Sequence, residues 1–389
     1  MTPPVETAKT GVEATSPSKV KQYVGEVVYL YAFDVAYDMT REPVQELLGQ
    51  PVAQFSVDAN KRIPKQLFFY KPQMVRMPPI ERIGPFGPVR VERVIKLLPV
   101  GAISITIRVP FAVSHVEDLV VFHDFQFSNG SLHDEVRQLA EEVVNELKSF
   151  YIRPHPQLYE EEAYTVFCIA APLATADGKF LNAERWFHAH RRQVAALLTQ
   201  EPDVAKLSTQ ESNESTGKYL SYYDNDLVVI DWDAALIIDE PRDLDETLYI
   251  MELANVQLAE LEAYDRILDE VLDRSYRDLG EHPLRSRSDV LRELRELRVD
   301  MARFNDELSN ITKFFGDWHL ARIYENISAR FHLSDWHRTI ENKLKTLDDL
   351  YQLLKHDQTT QWMMILEAAV VVLFVIDLVI LFLGLNRDL

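Results

Sequence analysis

The chain has 389 residues, 47% hydrophobic and 26% charged, with a formal net charge of -20. That length carries two or three domains with a sizeable core. The acidic balance argues against nucleic acid or an anionic lipid surface as partner for the bulk of the molecule, because like charges repel. The single cysteine, Cys168, allows no internal disulfide and suits a reducing compartment. Within "YTVFCIAAP" it reads as a small buried hydrophobe.

In chain order, residues 1–22 are rich in Thr, Pro, Ser and Lys and read as a disordered tail. They have no apolar core of the secretory kind and no arginine of the mitochondrial kind. Residues 24–239 read as a mixed α/β domain. "VGEVVYLYAFDVAY" predicts a strand or a pair of strands, and "LFFYKP" another. "PPIERIGPFGP" predicts a Pro/Gly loop. "VRVERVIKLLPVGAISITIRV" predicts two strands broken at Pro99-Val100-Gly101. "DLVVFHDF" predicts a short buried strand. Ser131 then caps a helix with Asp134 and Glu135 in its first turn. Its apolar positions are Leu132, Val136, Leu139, Val143 and Leu147. "YIRPHPQ" offers an internal boundary near 153–157. "YTVFCIAAP" is a strand, "NAERWFHAHRRQVAALLTQ" one helix, and "LSTQESNESTGK" a polar loop. "YLSYYDNDLVVIDWDAALIID" reads as a hairpin turning at Asp224-Asn225-Asp226.

After Pro241 strand residues vanish, and 244–360 reads as a helical hairpin of coiled-coil texture. The first helix, from about Leu244 to Leu279, carries Leu248, Met251, Leu258, Leu261, Leu268 and Val271 on one face. A second, from near Ser288, carries Leu294, Leu297, Met301, Phe304, Leu308, Ile311, Phe315 and Trp318 in alternating steps of three and four, a heptad seam. Gly316-Asp317 marks a reversal. A third helix carries Leu333, Ile340, Leu344, Leu347, Tyr351 and Leu354, and no Pro or Gly separates it from Met363. Two such helices joined by a short break pack antiparallel.

Residues 363–385 predict a single transmembrane helix, roughly 34 Å long at about 1.5 Å per residue, against a bilayer core of about 30 Å. Trp362 stands where an interfacial aromatic belongs. With only "NRDL" after it and no export signal before it, the helix is expected to be a C-terminal tail anchor. The α/β domain then faces the cytoplasm, at a bacterial inner membrane in preference to a mitochondrial one. Two acids lie inside the apolar run, Glu367 and Asp377. Both fall off the continued seam of Ile365, Ala368, Val372, Val375 and Val379. The acid face is therefore expected to meet another copy of the chain.

The stretches "ETLYIMELANVQLAELEAYDRIL" and "LARIYENISARFHLSDWHRTIENKLKTLDDLYQLLKHDQTTQWMMILEAAVVVLFVIDL" resemble the "required for meiotic nuclear division" family over roughly 219–385. The resemblance implies a non-enzymatic membrane protein. Characterised eukaryotic relatives are thought to sit in the mitochondrial inner membrane, to oligomerise and to support mitochondrial translation. No catalytic residues come with the family.

The search for chemistry adds little. His188 and His190 point to different faces of a helix and make poor joint metal ligands. Asp177-Gly178 is a tight turn lacking the other ligands of a calcium loop. "GPFGP" lacks the spacing of a phosphate cradle. Asp224, Asp226, Asp231 and Asp233 are turn and strand acids. His123-Asp124 is a neighbouring pair with no nucleophile beside it. The reading is an α+β protein: a mixed α/β module, long antiparallel coiled-coil-like helices and one transmembrane helix. It acts as a self-associating scaffold or tether with no cofactor and no metal, touching lipid through 363–385, itself, and a protein partner the sequence leaves unnamed. Two rivals are an oligomeric proton- or ion-conducting assembly using Glu367 and Asp377, and a membrane-attached enzyme with a site near His123.

Overall fold

The computed structural model describes residues 22–55, 72–128, 130–175, 177–281 and 318–385, with isolated positions between 292 and 299. The N-terminal tail, most of "LFFYKP", the second heptad helix and the reversal at Gly316-Asp317 lie outside those residues.

Nine strands form one mixed sheet. They are β1 Tyr23–Asp34, β2 Ala53–Gln54, β3 Gln73–Gly84, β4 Gly87–Leu97, β5 Ala102–Val113, β6 Glu162–Ala170, β7 Tyr219–Leu220, β8 Leu227–Ile230 and β9 Ala234–Asp239. Their order is β7-β8-β9-β6-β1-β5-β4-β3-β2. Neighbours run antiparallel except β6 and β9, which pair in parallel from Thr165 opposite Ala234 to Ala170 opposite Asp239. The apolar run at the heart of β1 explains its central place, since a strand covered on both faces has no polar face to keep. In register, Leu30 lies between Thr106 on β5 and Tyr164 on β6.

Alternation along the strands divides the sheet into two faces. Val27, Tyr29, Ile105, Ile107 and Phe167 point into one large apolar core. That core also takes buried residues of α1 Leu132–Glu146, α2 Ala183–Ala189 and α3 Arg191–Leu198. Ser131 caps α1 by accepting from the Asp134 N–H, and its five predicted apolar positions are all buried. Leu30, Ala32, Val166 and Cys168, also buried, point the other way. Cys168 is the small buried hydrophobe the sequence suggests, and burial pushes its thiol well up.

That second face lies under the beginning of α5 Leu244–Glu281. Every residue from Thr247 to Leu261 is buried, and the six predicted face residues are among the buried ones. Asn255 Nδ2 donates to the carbonyls of Leu30 (3.2 Å) and Glu162 (2.9 Å). Following the short helix α4 Thr209–Ser215, α6 Trp318–Arg330 adds the Tyr324 hydroxyl, which donates to Gln257 Oε1 at 2.6 Å. These parts belong to one compact unit, Met1–Glu260 with Ser309–Leu333. The second unit holds Leu261–Leu308 and Ser334–Leu389. It contains the rest of α5 and nearly all of α7 Leu333–Leu385, a continuous helix of 53 residues. Within it Lys343 bridges Asp265 and Asp269, both at 2.6 Å, beside buried Leu268, Val271, Ile340 and Leu347.

Four local expectations are corrected and one is extended. "PPIERIGPFGP" is not a loop: it forms the arms and turn of the β3–β4 hairpin. Pro78 and Pro79 are accommodated at a register shift between Met77 and Ile80, and Gly87 closes the turn at φ 112°. "DLVVFHDF" is not a strand; Val116–Phe122 is a 3-10 helix whose buried residues Val116, Leu119 and Phe122 recur every three. "LSTQESNESTGK" contains α4, capped by Ser208 accepting from the Glu211 N–H. The predicted single helix after Asn182 breaks at His190, whose Nδ1 lies 2.9 Å from the Trp186 carbonyl. The hairpin expected to turn at Asp224-Asn225-Asp226 is present as the antiparallel pair β7–β8, and a second, tighter turn at Asp231-Trp232-Asp233 joins β8 to β9.

Candidate functional site

The sheet face beneath α5 carries a polar stripe inside an otherwise apolar layer. Strand β5 alternates Ile103, Ile105 and Ile107 toward the core with Ser104, Thr106 and Arg108 toward α5. Lys96 on β4 joins them opposite Ser104. From α5, Glu252 reaches down: one carboxylate oxygen accepts from Ser104 Oγ at 2.6 Å, and the other pairs with the Lys96 ammonium. Lys96 also lies over the Phe55 ring, 4.2 Å from its centroid, with Tyr249 at 5.4 Å. Arg108 pairs with Glu26 at 3.0 Å and with Asp245 in the first turn of α5. Burial raises the pKa of Glu26, with the charges of Asp245 and Glu92 adding to it and Arg108 opposing.

Beside this network lies a cavity of about 220 Å³. Val94, Thr106 and Leu30 belong to its sheet wall, and Asp245, Leu248, Tyr249 and Glu252 to its helix wall. Met74 and Arg76 on β3, Glu92 on β4 and Arg242 ahead of α5 also line it. Burial and the charge of Glu252 push the Tyr249 phenol up. A buried ion pair is weak evidence for stability, since well-packed apolar residues often do as well. Three buried polar side chains at the wall of a cavity, Lys96, Thr106 and Glu252, therefore make it the candidate binding site of the sheet unit.

Sequence reasoning did not single out this cluster. The signal was present: polar residues at every second position of an isoleucine strand, and Glu252 and Asn255 inside "YIMELANVQLAEL". What the sequence hides is that the two stretches meet.

The residues singled out from sequence lie elsewhere. His123 Nε2 lies 2.6 Å from the Leu197 carbonyl, and its ring packs edge-on against Phe167. Burial lowers its pKa. Asp124 accepts from Gln126 at 2.6 Å. His188 is exposed near Glu184, while the His190 ring stacks on Trp186. Asp226 accepts the N–H groups of Tyr222 and Tyr223, Asp224 accepts from Asn182, and Asp231 faces Arg330 at 3.6 Å. Among the described residues no three His, Cys, Asp or Glu side chains are arranged to hold a metal. Trp362, Glu367 and Asp377 all lie exposed on α7, and neither acid has an ion-pair partner among the described residues. Trp362–Ile380 is long and apolar enough to cross a membrane, and none of it is buried.

These features define an α+β protein with a large mixed sheet, long helices and one candidate membrane-spanning helix near its C-terminal end. The chain belongs to the family described as "Uncharacterized protein MJ0711, N-terminal domain", whose model matches residues 24–245. It is similar to the uncharacterised protein MJ0711 of Methanocaldococcus jannaschii, 23% identical over 250 residues, which is 63% of this chain and 73% of that protein. No solved structure matches it. The family model takes in the sheet and stops at the start of α5.

Proposed function

We propose that the protein is a single-pass membrane scaffold. The sheet unit is the presented module, and the apolar run of α7 holds it to a bilayer. One observation carries the reading: a 19-residue apolar run, wholly exposed, within an unbroken 53-residue helix. Apolar patches of that extent on soluble proteins mark surfaces that something else covers, and here length and composition suit lipid. Glu367 and Asp377 supply the self-association. A carboxyl group in hydrocarbon costs about 2.5–3.5 kcal/mol and normally faces protein or water. One polar contact between helices returns only about 0.6–2 kcal/mol, so several copies share the task.

Membrane fractions washed with alkaline carbonate test the anchor: the full chain stays with the pellet, and a chain ending at Asp357 leaves it. Recovery of the full chain in the wash would end the reading. Light scattering in detergent tests the assembly. The full chain gives a defined oligomer, and Asp377→Leu a smaller one. An unchanged mass for Asp377→Leu removes the acids from the scaffold.

A further inference from the structure

The cavity under α5 has a charge inventory that narrows what it can take. Four cations line it, Arg76, Lys96, Arg108 and Arg242, and four acids, Glu92, Asp245, Glu246 and Glu252. Most are already engaged. Lys96 holds Glu252, Arg108 holds Asp245 and Glu26, Arg242 holds Glu240 and Asp243, and Glu246 has its own contact. Two charges remain without an ion-pair or hydrogen-bond partner among the described residues, Arg76 and Glu92. They stand on adjacent strands and the same face: Arg76 lies opposite Val94, and Glu92 is two residues along from Val94. A regular diagonal of this kind sets two positions about 7–8 Å apart, with the Cβ atoms somewhat closer. Both side chains line the cavity.

A third group lines the cavity. Tyr249 is 8% exposed, and its hydroxyl has no hydrogen-bond partner among the described residues. That hydroxyl is not closed off from solvent, so a ligand in the cavity can reach it.

We infer that this cavity binds a free α-amino acid, with Arg76 and the Tyr249 hydroxyl on its carboxylate and Glu92 on its ammonium. A simple anion would meet repulsion from Glu92, and a simple cation repulsion from Arg76. A zwitterion satisfies both and leaves the internal pairs intact. The cavity, about 220 Å³, is well above the roughly 10–15 Å³ that holds a single water and so admits a small ligand.

The test is calorimetric titration of the full-length protein in detergent with each of the twenty common amino acids, with inorganic phosphate and ammonium chloride as controls. At least one amino acid is expected to bind saturably and neither control to do so. Arg76→Gln and Glu92→Gln, both at exposed positions, should each weaken binding about ten-fold or more, the loss of one charge-assisted hydrogen bond. Tyr249→Phe should weaken it several-fold. Circular dichroism unchanged from the parent keeps these losses from being read as misfolding. The inference is overturned if no amino acid binds at millimolar concentration, or if both charge variants bind like the parent. It is equally overturned if phosphate binds and Glu92→Gln tightens it, which would make the cavity an anion site.

Discussion

Glu252 on α5 closes on Lys96 on β4 across 156 residues of sequence, and both side chains are buried. Removing one partner strands the other charge in a dry interior, so Glu252→Leu alone should cost about 3–5 kcal/mol. Lys96→Met together with Glu252→Leu should recover most of that, because a well-packed apolar pair replaces a buried ion pair at little net cost. Denaturant unfolding of the parent, both single variants and the double variant gives the coupling directly. Single variants that each lose less than about 1 kcal/mol would show that the pair does not hold the helix to the sheet.

Asn255 ties α5 to two strands at once through the Leu30 and Glu162 carbonyls. Asn255→Leu should lose about 1–3 kcal/mol, the range for buried groups left without partners. Asn255→Asp should lose more, because an acceptor-only carboxylate would face two carbonyl oxygens. Hydrogen exchange read over 250–258 should accelerate in the same order. The reverse order would mean the amide does not donate there.

Gly101 turns the chain between β4 and β5 at φ 94°, where an added Cβ would lie 1.9 Å from the Ala36 carbonyl oxygen. Its own carbonyl accepts from the N–H groups of Val35 and Ala36, both at 3.0 Å. The turn therefore cannot move away without losing both bonds. Gly101→Ala should cost at least about 2 kcal/mol. Gly49→Ala, at φ 71° in open space, should cost about 1 kcal/mol or less. Thermal melts of the two variants side by side separate collision from conformational strain.

Asp239 ends β9, and its carboxyl is raised from 3.8 to about 6. Burial is the chief cause, with the charges of Asp226, Asp243 and Glu240 adding to it and a hydrogen bond from the Glu240 N–H opposing. The folded state therefore holds this proton more tightly than the unfolded chain. Stability from this group is full below about pH 3.8 and is lost as pH rises to about 6. The loss amounts to about 1–2 kcal/mol after discounting for solvent screening. Asp239→Asn should be more stable than the parent at pH 7 and equal to it near pH 4. Melting curves across that interval decide it; a variant less stable at pH 7 would show that the ionised form is the favoured one.

Much of the architecture was legible from local pattern. The Ser131 cap, the spacing of Leu132 through Leu147, the break at Pro99-Val100-Gly101 and the apolar face of α5 rest on interactions between residues close in sequence. The long apolar run around Glu367 and Asp377 needed only a residue count. Where the reading failed, a distant contact had overridden a local signal. Pro78 and Pro79 sit within a hairpin because a register shift relieves the ladder there. The run after His115 winds into a 3-10 helix whose buried residues join the main core.

By itself, then, the sequence determined the Ser131 cap, the apolar faces of α1 and α5, and that one helix is long and apolar enough to cross a membrane. Those properties follow from backbone sterics, capping and periodicity within a few turns of chain. Tertiary structure alone decided that β6 pairs in parallel with β9, that Thr247–Leu261 of α5 is buried all round, and that Lys96, Ser104, Thr106 and Glu252 meet beside a cavity lined by Arg76, Glu92 and Tyr249. Those residues come from elements more than a hundred positions apart. Nothing in a residue's own neighbourhood records which distant polar group will share its burial.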